Sequence, residues 1–197
     1  MSQRSLLNYS LGNIFYEAIR MEMLCRANDK TKTHNTVNFI QMDMKRIGAF
    51  FKVHSFNLIL CFGNTLVHLT DFSEIESFCR EARRLLKEGG KFLLQILNYD
   101  HILDHNVKRL PLIENNHITF ERYYEYDNIK NLIRFRTILT VKERDRRMEN
   151  EILLYPVRKH ELDEALRNSG FTDISFYGDF DKSELKTYSL PLVVTAS

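Results

Sequence analysis

Two apolar runs, Leu58-Ile59-Leu60-Cys61-Phe62 and Phe92-Leu93-Leu94-Gln95-Ile96-Leu97, constrain this chain more than any other feature. Each is strand length and apolar on successive rather than alternating positions, the pattern of strands buried on both faces of a parallel sheet. Between them, residues 73–88 place Ile75, Phe78, Cys79, Ala82, Leu85 and Leu86 at the spacings of one helical face. Glu74, Arg80, Glu81, Arg84 and Lys87 cover the other side. Asp71 with Glu74 three residues on resembles a capping box, and Gly89-Gly90 offers a left-handed stop. Strand, crossover helix and strand of these lengths make one right-handed βαβ unit. The run 92–97 is therefore expected beside 58–62, with the helix packed on both through Phe78, Ala82 and Leu85.

Upstream, Val37-Asn38-Phe39-Ile40-Gln41 reads as another strand, fed by a helix over roughly residues 14–28. The pattern changes after residue 115. Residues 118–126 alternate partly and end at the turn residues Asp127-Asn128. Residues 132–141 alternate cleanly, with Ile133, Phe135, Thr137, Leu139 and Val141 on one face and Arg134 and Arg136 on the other. Residues 151–155 continue that manner, so these are expected to be antiparallel strands with one wet face. A helix over 159–169 stopping at Gly170, and strands near 173–177 and 190–195, close the chain. The expected class is α/β with an antiparallel insertion at about 116–156.

The chain has 197 residues, 44% of them hydrophobic and 27% charged, which fits one globular domain over 1–197 rather than disorder. A formal charge of +2 gives no argument for nucleic acid or a membrane surface. Apolar stretches are too short to span a bilayer, and the first residues lack the apolar run of a signal peptide. Cys25, Cys61 and Cys79 have no close spacing, which excludes a disulfide framework and a four-thiolate zinc site and points to the reducing cytoplasm. His101 and His105 share a helical spacing, but no glutamate follows the first as zinc proteases require, and no metal is expected. A hydrolase elbow and a phosphate-binding loop are also missing from the sequence.

What remains is a row of polar and small residues directly after buried strands. Gly63-Asn64 follows the run 58–62, Asp43 follows 37–41, and Asn98-Tyr99-Asp100 follows 92–97. In open α/β sheets ligands collect just beyond the carboxyl ends of the strands. Each residue has an ordinary reading as a turn or cap; together they mark one rim.

The stretch 37–100 resembles the class I S-adenosylmethionine-dependent methyltransferases, a Rossmann-like fold. The likeness lies in Phe39-Ile40-Gln41-Met42-Asp43-Met44, in Asn57 through Leu69, and in Ala82-Arg83-Arg84-Leu85-Leu86-Lys87-Glu88-Gly89-Gly90-Lys91-Phe92. Cys61-Phe62-Gly63-Asn64-Thr65-Leu66-Val67-His68-Leu69 and Asn98-Tyr99-Asp100-His101-Ile102-Leu103 look most like the glycine/sarcosine N-methyltransferase branch. With Gly170-Phe171 and Tyr177-Gly178-Asp179-Phe180 in the tail, the resemblance covers roughly residues 14–196. It implies S-adenosylmethionine as cofactor, bound by Asp43, Met44, Cys61, Phe62, Gly63 and His68. Asp43 and Met44 would face the adenine. Asn64, Asn98 and Tyr99 would lie on the side of a small-molecule substrate, with His68 and Tyr99 the candidates for removing its proton.

Two departures from the family accompany this. The family places a glycine-rich loop after its first strand and an acid for the ribose hydroxyls at the end of its second. Here Leu11-Gly12-Asn13-Ile14-Phe15 offers one glycine and no acid, so the sheet reads as truncated at the N-terminus. The glycine-methylating branch also carries an arginine for the substrate carboxylate where this chain has Leu97. A strand left without its partner predicts a homo-oligomer or an exposed sheet face, unless residues 1–13 supply the missing strand. Two functions follow: methyl transfer to a small molecule, or a non-catalytic member that keeps the fold as a remnant or partner subunit.

Overall fold

The computed structural model describes residues 5–10, 13–17, 37–144 and 146–197, with side chains from residue 40 onward except 144. Its main sheet has seven strands: β1 (Ser5–Ser10), β2 (Asn13–Glu17), β3 (Val37–Ile40), β4 (Phe56–Phe62), β5 (Leu86–Leu97), β10 (Ile174–Tyr177) and β11 (Pro191–Ala196). They lie in the order β10-β11-β5-β4-β1-β2-β3. The expected βαβ unit is at its centre: β4 and β5 are adjacent and parallel, joined by helix α2 (Phe72–Leu85). A short helix, α1 (Ile47–Phe50), precedes β4.

Helix α2 buries Ile75, Phe78, Cys79, Ala82 and Leu85 as its periodicity requires. The Phe78 ring meets Phe92 of β5 edge-on at 6.2 Å, and Phe92 stacks on Phe171 at 5.8 Å. Asp71 caps the helix, its carboxylate accepting from the Ser73 N–H at 2.7 Å. Glu74 pairs with Lys45. The helix ends three residues earlier than its charge pattern implies, because Leu86 already pairs with Phe56 as the first residue of β5. Gly89-Gly90 is therefore a bulge inside β5 and no helix stop. From Phe56 to Leu58 β4 advances two positions while β5 advances five, from Leu86 to Lys91. Gly89 takes a φ of +69° there, which a residue without Cβ adopts at little cost.

The N-terminal reading changes as well. Residues 13–17 form strand β2 rather than the start of a helix, since Ile14, Phe15 and Tyr16 pair in parallel with Val37, Asn38 and Phe39. The remainder of the expected helix at 14–28 lies outside the described residues. The place beside β4 is filled by β1, which pairs with it antiparallel from Ser5↔Phe62 to Tyr9↔Leu58. The premise of an unpaired β4 edge does not hold.

Strand directions follow from this pairing. Strand β1 is antiparallel to both β4 and β2, so β2 and its parallel partner β3 run with β4 and β5. Strand β11 is antiparallel to β5 and to β10, so β10 runs with β5 too. The carboxyl ends of β2, β3, β4, β5 and β10, at Glu17, Ile40, Phe62, Leu97 and Tyr177, share one edge.

Helix α3 (Tyr99–Asp104) leaves that edge and leads into a second, antiparallel sheet of β6 (Ile113–Glu114), β7 (Ile118–Asp127), β8 (Leu132–Val141) and β9 (Arg146–Leu154). Asp127 closes the β7–β8 turn by accepting from the Ile129 and Lys130 N–H groups. Ile133 and Thr137 of β8 are buried while Arg134 and Arg136 face water. Tyr124, Ile133 and Leu154 extend the main core into this sheet. Helix α4 (Lys159–Asn168) then packs beside α2 and ends at Gly170. Among the described residues no helix is long and apolar enough to cross a membrane.

Candidate functional site

The site forms where β4 and β5 end. Gly63 and Asn64 both take positive φ, +74° and +62°, reversing the chain within two residues. Glycine reaches that conformation freely and asparagine is among the few other residues that tolerate it. The turn is sewn to β5 at three points and to the following helix α3 at a fourth. Gly63 N–H donates to Gln95 Oε1 at 2.8 Å and Asn64 N–H to the Gln95 carbonyl at 3.2 Å. Asn64 Oδ1 accepts from the Leu97 N–H at 2.9 Å, and its Nδ2 donates to Tyr99 Oη at 2.9 Å.

Tyr99 is fully buried, and its hydroxyl is hydrogen-bonded to that of Tyr124 on β7. Burial raises the Tyr99 pKa well above the usual phenol value and pushes Tyr124 up to about 12. Both keep their protons at neutral pH. Asn98 is also buried; it caps α3 by accepting from the His101 N–H and donates through Nδ2 to the Ser189 carbonyl. Of the three residues placed on the substrate side, each is thus a structural tie at the rim.

The remaining candidates divide by exposure. Asp43 is exposed just past β3, its Oδ1 accepting from the Lys45 N–H at 3.0 Å. Met44 beside it is buried in the core, as is Cys61 of β4. Phe62 is half-buried, and Phe180 of the 178–190 loop packs edge-on against it at 5.2 Å. His68 is half-buried at the end of a 3-10 turn (Leu66–His68), its N–H donating to the Thr65 carbonyl. The structure thus brings Asp43, Gly63, Asn64 and Asn98 to the shared carboxyl edge. Asp43 lies at the end of β3, three strand spacings from β4 and so about 14 Å along the rim.

One rim residue was missed by sequence reasoning. Glu17 is the last residue of β2, paired with Ile40 at the same edge. Reading 14–28 as a helix hid it; the short run Ile14-Phe15-Tyr16, aromatic and β-branched, was the available signal. Strand β1, by contrast, runs away from the rim: Ser10 pairs with Asn13 beyond Leu58, at the edge where β4 begins.

Comparison with known proteins agrees with this architecture. Residues 12–90 match the model of a methyltransferase domain. The chain is 28% identical over 172 residues to the glycine/sarcosine N-methyltransferase of Aphanothece halophytica, which covers 83% of this chain and 59% of that protein. It therefore spans about three fifths of that relative's length. An S-adenosylmethionine-dependent methyltransferase from Clostridium acetobutylicum superposes with a TM-score of 0.80 at 14% identity, over 94% of this chain and 74% of the other. The CcbJ methyltransferase from Streptomyces caelestis does so with a TM-score of 0.78 at 18% identity, over 93% and 78%. The seven-stranded sheet, with its rim beyond β4 and β5, thus has the fold of the S-adenosylmethionine-dependent methyltransferases, and residues 12–90 are similar to a methyltransferase domain.

Proposed function

We propose that this chain transfers a methyl group from S-adenosylmethionine to a small-molecule acceptor at the carboxyl rim of its main sheet. The observation that carries the reading is the pair of acids at the ends of adjacent parallel strands, Glu17 on β2 and Asp43 just past β3, on the same edge as Gly63. The donor set suits the cofactor: acids accept from ribose hydroxyls and from an adenine amino group, and the rim from β3 to β4 is long enough for a nucleoside linked to an amino acid. By its position at the end of β2, Glu17 corresponds to the ribose acid that the family resemblance calls for, and Asp43, just past β3, to the adenine contact.

When bound, S-adenosylmethionine supplies an activated methyl group. The chain's task is alignment, because an in-line displacement gains most from holding the reacting atoms in register. Asn64, Gln95 and Tyr99 hold the β4 turn against β5, so that Gly63 presents a fixed wall without a side chain. Phe180 over Phe62 shields that end of the rim from water. His68 stays the candidate for taking the acceptor's proton. Tyr99, buried and protonated, acts through Asn64. Two fully buried cysteines outside any disulfide, Cys61 and Cys79, suit a reducing cytoplasm.

A second reading, a fold that has lost its cofactor, draws on the direction of β1. A loop after a strand antiparallel to β4 does not reach the rim, so β1 brings no glycine-rich loop to it. Calorimetric titration with S-adenosylhomocysteine separates the two. Micromolar binding, weakened roughly tenfold in Glu17→Gln by the loss of a charge-assisted hydrogen bond, supports the enzyme. Folded protein that gives no heat at millimolar ligand overturns it in favour of the second reading.

A further inference from the structure

A concavity opens past the ends of β5 and β10, a cavity of about 740 Å³ between α3, the start of α4 and the 178–190 loop. Its charges are unevenly committed. Asp100 accepts from Arg158 at 2.9 Å and from the Lys159 N–H at 2.9 Å, and Asp104 accepts from Arg158 at 2.8 Å. Arg158 thereby neutralises much of the acid in the wall. The three lysines that line the cavity, Lys159, Lys182 and Lys186, have no carboxylate partner among the described residues. Lys159 Nζ stands over the Phe176 ring at 5.0 Å and Lys182 Nζ over Tyr177 at 6.0 Å. His101 Nδ1, from the same wall, is buried with no hydrogen-bond partner among the described residues.

We propose that this cavity receives the methyl acceptor and selects an organic anion. The acid group lies among Lys159, Lys182 and Lys186, and the apolar body rests on Phe176 and Tyr177. The proposal rests on the methyl-transfer reading and names its substrate class. Lys159, Lys182, Lys186 and Arg158 set four positive charges against the three of Asp100, Asp104 and Glu184, an excess of one that favours anions at the lysines. Attraction between ammonium groups and aromatic faces keeps Lys159 and Lys182 beside the rings instead of in open water. The volume is in the range of pockets that enclose whole metabolites, about 300–1,000 Å³, and exceeds what glycine alone fills. Cavity and rim also share a wall. The loop with Lys182 and Lys186 carries Phe180 onto Phe62, and Asn98, which lines the cavity, holds that loop at Ser189. An acid held by the lysines replaces the carboxylate contact that Leu97 cannot make.

The test uses two probes of equal shape, 4-hydroxyphenylacetate and 4-hydroxyphenylacetamide, titrated by ligand-observed NMR with and without S-adenosylhomocysteine. The acid is expected to bind roughly tenfold more tightly than the amide, and the Lys182→Gln/Lys186→Gln double variant to lose that advantage while binding S-adenosylhomocysteine as before. Added salt weakens the acid alone. Equal affinity of acid and amide, absence of acid binding, or an advantage that survives in the double variant overturns the proposal. Lysine-dependent acid binding in a protein that does not bind S-adenosylhomocysteine overturns the acceptor role and the methyl-transfer reading together, and leaves an anion site. A wild-type protein that binds S-adenosylhomocysteine but does not prefer the acid to the amide overturns this inference alone.

Discussion

The Asn64 side chain bridges the ends of two parallel strands, donating to Tyr99 Oη at 2.9 Å while its Oδ1 accepts from the Leu97 N–H at 2.9 Å. Tyr99 in turn is hydrogen-bonded to Tyr124, so the rim turn is tied through one buried phenol to the second sheet. A residue that reads as a substrate contact in the sequence is in the structure the pin of the rim.

Removing the pin is expected to cost stability in a graded way. Asn64→Ala loses both side-chain bonds and places a Cβ residue at φ +62°, about 2–4 kcal/mol together. Asn64→Gly loses the same bonds without the strain and should be milder by about 1 kcal/mol. Urea unfolding of both variants measures the difference; equal losses would mean that the backbone conformation carries no cost.

Tyr99→Phe removes the hydroxyl between Asn64 and Tyr124 and leaves their buried polar groups short of a partner. A cost of about 1–3 kcal/mol is expected. Because Tyr99 and Tyr124 form one network, the double variant Tyr99→Phe/Tyr124→Phe should cost less than the two single changes added together. Strict additivity in a double-mutant cycle would show that the two phenols are independent.

The same pair predicts an alkaline limit. Unfolded tyrosines release their protons near pH ~10, while burial holds the folded Tyr99 above that value and Tyr124 at about 12. Above the unfolded value the folded state binds more protons than the unfolded one, so stability falls as pH rises. This contribution is fully present below pH ~10 and is lost as the pH passes the folded values. Denaturant midpoints in the wild type should fall between pH ~9 and pH ~11, and fall less in Tyr124→Phe. An identical decline in both would assign the limit to other groups.

The bulge in β5 should distinguish two adjacent glycines. A Cβ on Gly89 meets nothing within 4 Å, so Gly89→Ala is burdened only by its φ of +69°, about 1 kcal/mol. A Cβ on Gly90 meets the Lys87 carbonyl oxygen at 2.9 Å and the Phe56 carbonyl oxygen at 3.1 Å, neither of which moves without shifting a strand. Gly90→Ala should be the more damaging, approaching ~3 kcal/mol. Thermal unfolding gives the order, and the reverse order would contradict the bulge.

Cys61 and Cys79 are expected to be inert in the folded protein. Both are fully buried, and burial pushes the Cys79 thiol up to about 12. With no access to either, and little thiolate at Cys79, neither should take a maleimide until denaturant is added. Peptide mapping after labelling checks this, and modification under native conditions would show that the core opens locally.

The central unit was legible because its signals are local. Apolar runs at 58–62 and 92–97 and the stripe through Ile75, Phe78, Ala82 and Leu85 state period and burial directly, and β4, α2 and β5 formed as that pattern requires. The alternation of 132–141 likewise announced β8 and its wet arginine face. Errors fell where pairing outweighs propensity. Residues 86–88 look helical by charge pattern, yet Leu86 pairs with Phe56. Residues 14–17 look like a helix start, yet they pair with β3.

The sequence by itself determined the class of fold, the right-handed βαβ core and the row of polar residues that follow buried strands, because each depends on hydrophobic period and chain direction alone. Only the tertiary structure decided which of those residues are exposed at the rim and which are consumed in holding it. Asn64, Asn98 and Tyr99 find their partners on segments distant in sequence, and a hydrogen-bonding side chain does not reveal in advance whether that partner is the protein itself or a ligand. The placement of Glu17 at the carboxyl edge of the sheet, and of Lys159, Lys182 and Lys186 around one cavity, likewise depends on strand order and loop path. These are set by long-range pairing, which no local window of sequence records.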